Sequence, residues 1–264
     1  MLLRISRHCS INVIRTGHPQ RPSIIFLHPV GLDSTWWGNQ IEEFRTDFDV
    51  IAMDMPGHGL SQDLGEAPTF ELLAAAVENV METFGLSAAH IVGLSVGGMI
   101  AQHLAIRSPG LILSLTLAGT LCTFPDAVRL ALRARAETAR EQGMGRIAEL
   151  SNERWFPVFF RERRPDVVDR STSCLIRRDA EFQAQIWEMI SELSIEREIA
   201  AIKAPTLIIA GELDINAPPT AAAQIASAIT NSSVEIMPRV GHMSPFEEPV
   251  TFNRLVRSFI TMLN

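Results

Sequence analysis

The chain has 264 residues, of which 47% are hydrophobic and 20% charged, and its formal net charge is −7. This composition fits a globular fold with a sizeable core, and the acidic balance excludes the basic surface a nucleic-acid partner needs. Three scattered cysteines, Cys9, Cys122 and Cys174, form no CxxC pair and no Cys/His cluster, so neither a bound metal nor a disulfide framework is expected.

The N-terminal run MLLRISRHCS is too short and too charged for a secretory signal. No run reaches the roughly 18 apolar residues of a membrane span. The expectation is a cytoplasmic protein with no membrane attachment. Next, LLRISRHCSINVIR predicts an antiparallel hairpin. SIIFLH (Ser23–His28) and DVIAMD (Asp49–Asp54) read as strands, and Thr69–Phe84 as a helix. HIVGL (His90–Leu94) is a third strand, Val96–Ser108 a helix, and LILSLTLAG (Leu111–Gly119) a fourth strand. Later come PTLIIAG (Pro205–Gly211), a helix over Pro219–Ile229, SVEIMP (Ser233–Pro238), and a helix over Pro249–Leu263. Strands apolar on both faces belong to a parallel sheet covered by helices, and the alternation implies a doubly wound α/β sheet. The rhythm breaks between the fourth and fifth strands, where Asp126–Gln142 and Asp179–Ser194 have helical patterning and no strand intervenes. Such a segment is too long for a crossover. It is expected to be a helical cap, 121–199, over a core made of 1–120 and 200–264. Ligands of open α/β sheets bind at the edge such a cap would cover.

The stretch Gly93-Leu94-Ser95-Val96-Gly97 sits between a strand and a helix. In that context G-x-S-x-G puts a serine at the apex of a sharp turn with its Oγ exposed. Small flanking residues allow strand and helix to approach, and the unpaired amides at the helix start face the same point. Ser95 is the candidate nucleophile, with the Val96 N–H as an oxyanion donor. A glycine-rich phosphate loop or an ordinary tight turn is the alternative. A serine needs a base. His242, in the loop GHMSPFEEP after the last strand, is the candidate; His58 in MPGHGLS is expected to be structural, and His28 to shape the oxyanion loop. Asp214 in AGELDINAPP is the expected orienting carboxylate, with Glu212 as the alternative. The second oxyanion donor should come from His28-Pro29-Val30-Gly31. Pro29 has no N–H, which leaves Val30.

The pieces FLHPVG, DMPGHGLS, GLSVGGMIAQ, PTLIIAGELD and GHMSPFEEP resemble the α/β-hydrolase family over essentially the whole chain. The family usually has His-Gly where this chain has His28-Pro29. A narrower likeness is to 3-oxoadipate enol-lactonases: GLSVGGMIAQHLAIRSP with LTLAGT is similar to their elbow region, VGLDSTWW to their oxyanion loop, and NERWFPVFFRERRP to a cap segment. The resemblance implies a cofactor-free hydrolase of a small-molecule ester or lactone, such as an anionic enol-lactone, acting as a monomer or homodimer. A carbon–carbon bond hydrolase of a diketone, a perhydrolase of the haloperoxidase type, and a non-catalytic ligand-binding protein on the same fold remain open. A substrate carboxylate would need one or two inward arginines. Thirteen lie between Arg129 and Arg197, most of them expected on solvated faces. Arg133 and Arg154 are the candidates, the second because it adjoins Trp155, an expected pocket wall.

Overall fold

The computed structural model describes residues 1–5 and 9–263. In chain order the elements are β1 (Leu2–Arg4), β2 (Ser10–Gly17), β3 (Ser23–Leu27), α1 (Gly38–Phe44), β4 (Asp49–Met53), α2 (Phe70–Thr83), β5 (Ala89–Leu94), α3 (Val96–Arg107) and β6 (Ile112–Ala118). There follow α4 (Asp126–Trp155), α5 (Val158–Arg163), α6 (Pro165–Leu175) and α7 (Ala180–Ser191), and then β7 (Thr206–Gly211), α8 (Pro219–Ala228), β8 (Ser232–Met237), α9 (Ser244–Glu247) and α10 (Pro249–Thr261).

Among the described residues the strands form one eight-stranded sheet, ordered β1-β2-β4-β3-β5-β6-β7-β8. The hairpin expected at the N-terminus is β1 and β2, paired antiparallel with Leu3 opposite Ile11; residues 6–8, His8 among them, lie outside the described residues. β2 also runs antiparallel to β4, and all later pairings are parallel. Every residue of β3, β4, β5 and β7 is buried, as apolar runs covered on both faces require. β8 departs from that expectation. It is the edge strand, paired only with β7, and Val234 and Ile236 stay exposed.

Parallel pairing brings the C-terminal ends of β3, β5, β6 and β7 to one edge. The approach of α3 to that edge depends on glycine. A Cβ on Gly97 would stand 2.2 Å from the Leu27 carbonyl oxygen at the end of β3, and one on Gly93 would stand 2.4 Å from the Gly97 carbonyl oxygen.

Between β6 and β7 the chain is helical, apart from a single antiparallel bridge between Thr123 and Ser194. The helix expected to stop at Gln142 instead continues as α4 to Trp155, but Gly143 has φ 76° and ψ 176° and divides it into two. The sequence breakpoint is real, and the chain resumes a helix beyond it. No helix among the described residues is long and apolar enough to cross a membrane.

Replacing Gly97 by Ala should lower the unfolding free energy by about 1–3 kcal/mol through overpacking, measured by urea denaturation. Gly110→Ala is the matched control: its Cβ would meet nothing within 4 Å, and stability should be unchanged.

Candidate active site

Ser95 joins β5 to α3 with φ 56° and ψ −119°, a left-handed backbone held by a non-glycine residue. Its N–H donates to the Ala118 carbonyl at 2.9 Å, and its carbonyl accepts from the Thr120 hydroxyl at 2.8 Å and from the Gly98 N–H at 2.9 Å. The turn is therefore tied to the end of β6 and to the first turn of α3. Its half-buried Oγ lies 3.0 Å from His242 Nε2.

His242 follows β8 and precedes α9. Its Nδ1–H donates to Asp214 Oδ2 at 2.7 Å, because an ionised carboxylate can only accept. That bond leaves Nε2 free to accept from Ser95. Asp214 Oδ1 accepts from the amides of Asn216 (2.7 Å) and Ala217 (3.0 Å). Both carboxylate oxygens are thus occupied within a residue only 3% exposed. Glu212, the alternative acid, is exposed and accepts from the Arg239 amide at 2.8 Å, so it does not reach the imidazole. Gly119 separates the two loops: a Cβ there would sit 3.1 Å from the His242 carbonyl oxygen and 3.4 Å from Asp214 Oδ2.

Val30 lies in the loop after β3 and lines the same cavity as Ser95, and Val96 is the first residue of α3. Neither amide is used in a turn or cap hydrogen bond. The Val30 peptide is oriented from behind. The buried His28 ring donates from Nδ1 to the Pro29 carbonyl at 2.8 Å and accepts at Nε2 from the Met55 N–H at 2.9 Å. The Pro29 carbonyl and the Val30 N–H belong to one planar peptide, so fixing the oxygen also fixes the donor. Burial pushes the His28 ring below the usual histidine range, which keeps it in the neutral form this donor–acceptor pattern needs. His58 is structural as expected: it is buried, burial and its neighbour His28 push it down to about 3, and its Nε2 meets Gln183 Nε2 of α7 at 3.1 Å.

The inserted helices hold the same loop from above. The Arg178 guanidinium lies 3.5 Å from the Asp33 carboxylate, and the Cys174 thiol donates to Asp33 at 3.2 Å. Sequence reading missed Cys174, Arg178 and Gln183, because nothing in their spacing shows which loop a helix on another layer will meet.

Ser95 and His242 open into a cavity of about 600 Å³ walled by Val30, Met99, Phe124, Trp155 and Trp187 and by one face of α4. Ala127, Val128, Ala131, Ala134, Arg135 and Thr138 line it at the three- and four-residue spacing of a helix face. Arg133 is not on that face. Two residues rotate a helical side chain by about 200°, so with Arg135 turned inward Arg133 points out, where it pairs with Glu192. The expectation that Arg133 lines the pocket is therefore corrected, and Arg135 takes that place. Arg135 is half-buried over the Trp187 ring at 4.8 Å, and its Nε has no hydrogen-bond partner. Desolvation, with the charge of Arg154 added, lowers it to about 10, which leaves it a cation at neutral pH. Arg154 also lines the cavity and donates from Nε to Asn216 Oδ1 at 2.9 Å. Among the described residues neither arginine has an ion-pair partner, and no group of three or more His, Cys, Asp or Glu is arranged to hold a metal.

Comparison with known proteins agrees with this architecture. Residues 22–249 match the family model described as the alpha/beta hydrolase fold. The chain is 30% identical over 258 residues to 3-oxoadipate enol-lactonase 2 of Acinetobacter baylyi, covering 97% of this chain and 94% of that one. Among solved structures, the enol-lactonase of Burkholderia xenovorans superposes with a TM-score of 0.91 at 28% identity, over 97% of this chain and 98% of that chain. A thermophilic esterase from Thermogutta terrifontis, solved with malate bound, superposes with a TM-score of 0.90 at 26% identity, over 97% and 94%. With a parallel sheet, a strand–serine–helix turn and a matching family model over most of its length, the chain belongs to the α/β-hydrolase fold family.

Proposed function

We propose that this protein is a serine hydrolase that cleaves a carboxylic ester or lactone through an acyl-enzyme, and that its substrate carries a carboxylate and an apolar body. The observation that carries this reading is the Ser95–His242–Asp214 relay, with links of 3.0 and 2.7 Å, opening into the cavity that also holds Arg135 and Arg154.

In the first half-reaction Ser95 Oγ attacks the carbonyl carbon while His242 Nε2 takes its proton. The oxygen that becomes an anion is received by the Val30 and Val96 amides, which are already oriented, so little reorganisation opposes the step. Collapse of the tetrahedral intermediate breaks the bond to the leaving oxygen, and His242 returns its proton there. In a lactone that oxygen stays tethered to the acyl group. Water then repeats the sequence and releases the acid. Asp214 stays ionised, holding the tautomer and stabilising the imidazolium as it forms.

In this reading α4–α7, the segment 121–199, act as a cap. They supply the apolar face of α4, Trp155 and Trp187, and the two cations. A half-buried guanidinium without an acidic partner favours an anion beside it. Asn216 links recognition to chemistry: it donates its N–H to the Asp214 carboxylate and accepts from Arg154. The enol-lactonase relatives make an anionic lactone a fitting first probe.

Ser95→Ala should reduce kcat by about a thousandfold or more without unfolding the protein, and a fluorophosphonate should label Ser95. A labelled peptide elsewhere in the chain would reject the nucleophile.

Arg135→Met should lower kcat/KM on an anionic lactone or ester by about ten- to a hundredfold, the weight of one charged hydrogen bond. The more exposed Arg154 should give a smaller loss when replaced by Met. The matched methyl-ester substrate should be much less affected by either change, and Arg133→Met should leave both substrates alone. Equal losses on acid and methyl ester would reduce the two cavity arginines to packing.

A further inference from the structure

We infer that Glu247 is a positioning residue for His242: its buried carboxylate grips the two peptide N–H groups that flank the histidine and so sets where the imidazole stands against Ser95. The inference rests on the triad reading above.

Glu247 Oε2 accepts from the Gly241 N–H at 2.8 Å and Oε1 from the Met243 N–H at 2.9 Å. Between them, the His242 N–H donates to the Trp155 carbonyl at 2.9 Å. Three consecutive amides are therefore held by two acceptors, and one carboxylate supplies both outer bonds. The carboxylate is only 7% exposed and has no cationic side chain in ion-pair contact among the described residues. The loop is built around this grip. A Cβ on Gly241 would stand 3.1 Å from Glu247 Oε1 and 2.8 Å from the Trp155 carbonyl oxygen, so no larger residue fits between carboxylate and cap.

Ionised, the group accepts at both oxygens. Protonated, one oxygen becomes a donor facing an N–H, and one of the two bonds is lost. Burial raises Glu247 to about 7, opposed by its two amide donors and by His242, and aided by the negative charge of Asp214. These are the titratable groups acting on it: His242 from its own loop and Asp214 from the loop after β7. The end of α4 contributes only the neutral Trp155 carbonyl. A proton arriving on Glu247 in mild acid loosens the loop, and a proton on His242 takes away the acceptor that faces Ser95 Oγ. The two protons belong to the pair.

The consequence is an acid limb governed by two protons. The probe is a fluorophosphonate, whose second-order rate of labelling Ser95 needs no knowledge of the natural substrate. For the wild type, log rate against pH should pass through a region steeper than one as pH falls below neutrality. Glu247→Gln keeps the shape but can accept only one of the amides. It should label about ten- to a hundredfold more slowly at pH 8, with a slope nowhere steeper than one. Glu247→Asp restores the charge with a shorter reach, and should recover the steeper region but only part of the rate. A wild-type slope nowhere steeper than one, or a Glu247→Gln variant with native rate and profile, overturns the proposal. If Glu247→Gln does not fold, the wild-type slope alone decides. No labelling of the wild type at any pH would instead reject the triad reading itself.

Discussion

Everything at the active edge depends on one backbone conformation. Ser95 sits at φ 56°, where a side chain costs about 1–3 kcal/mol and persists only if its surroundings over-determine it. Here they do. The residue is bonded at N–H and carbonyl to β6, Thr120 and α3, and Gly97 lets α3 rest against the end of β3. Relaxing the serine would swing Oγ away from the imidazole and turn the start of α3 away from the oxyanion position. The strain at one residue is thus supported by the packing of three strands and a helix.

Around that turn, each mobile-looking loop has its backbone fixed by a buried polar side chain. His28 holds the peptide that carries the Val30 amide. Glu247 holds the amides beside His242. Asp214 is itself held by the Asn216 and Ala217 amides while it orients the ring. Buried polar groups that are fully bonded rigidify what they touch, and here they are placed on loops, where the fold alone gives least rigidity. The charge arrangement has the same logic: the carboxylates of Asp214 and Glu247 lie behind the histidine, while Arg135 and Arg154 face the cavity.

Much of this was legible in the sequence because it is local. Apolar runs ended by polar residues fix strands to within a residue or two, and the strand–GxSxG–helix context fixes the serine turn. The candidates Ser95, Asp214 and His242 could be named because each follows a strand end, and parallel strands end together. What escaped is non-local or rotational. α1 is short and has little amphipathic signal. The edge position of β8 is a property of the whole sheet. Choosing Arg133 over Arg135 was an error of helix phase, which periodicity over Ala127, Ala131, Ala134 and Thr138 would have corrected had the inward face been known. Glu247 was visible only as part of a motif. Its role depends on a tight loop folding back onto it, which no spacing rule encodes.

The hydrogen bond from the His242 amide to the Trp155 carbonyl joins the last turn of α4 to the histidine loop. Any outward swing of that end of α4 would pull on the loop that carries His242 and so on its contact with Ser95. Val128 and Ile215 also line the cavity and are open to solvent at 39% and 62%. One peptide group therefore couples the place of the helices between β6 and β7 to the place of His242 beside Ser95.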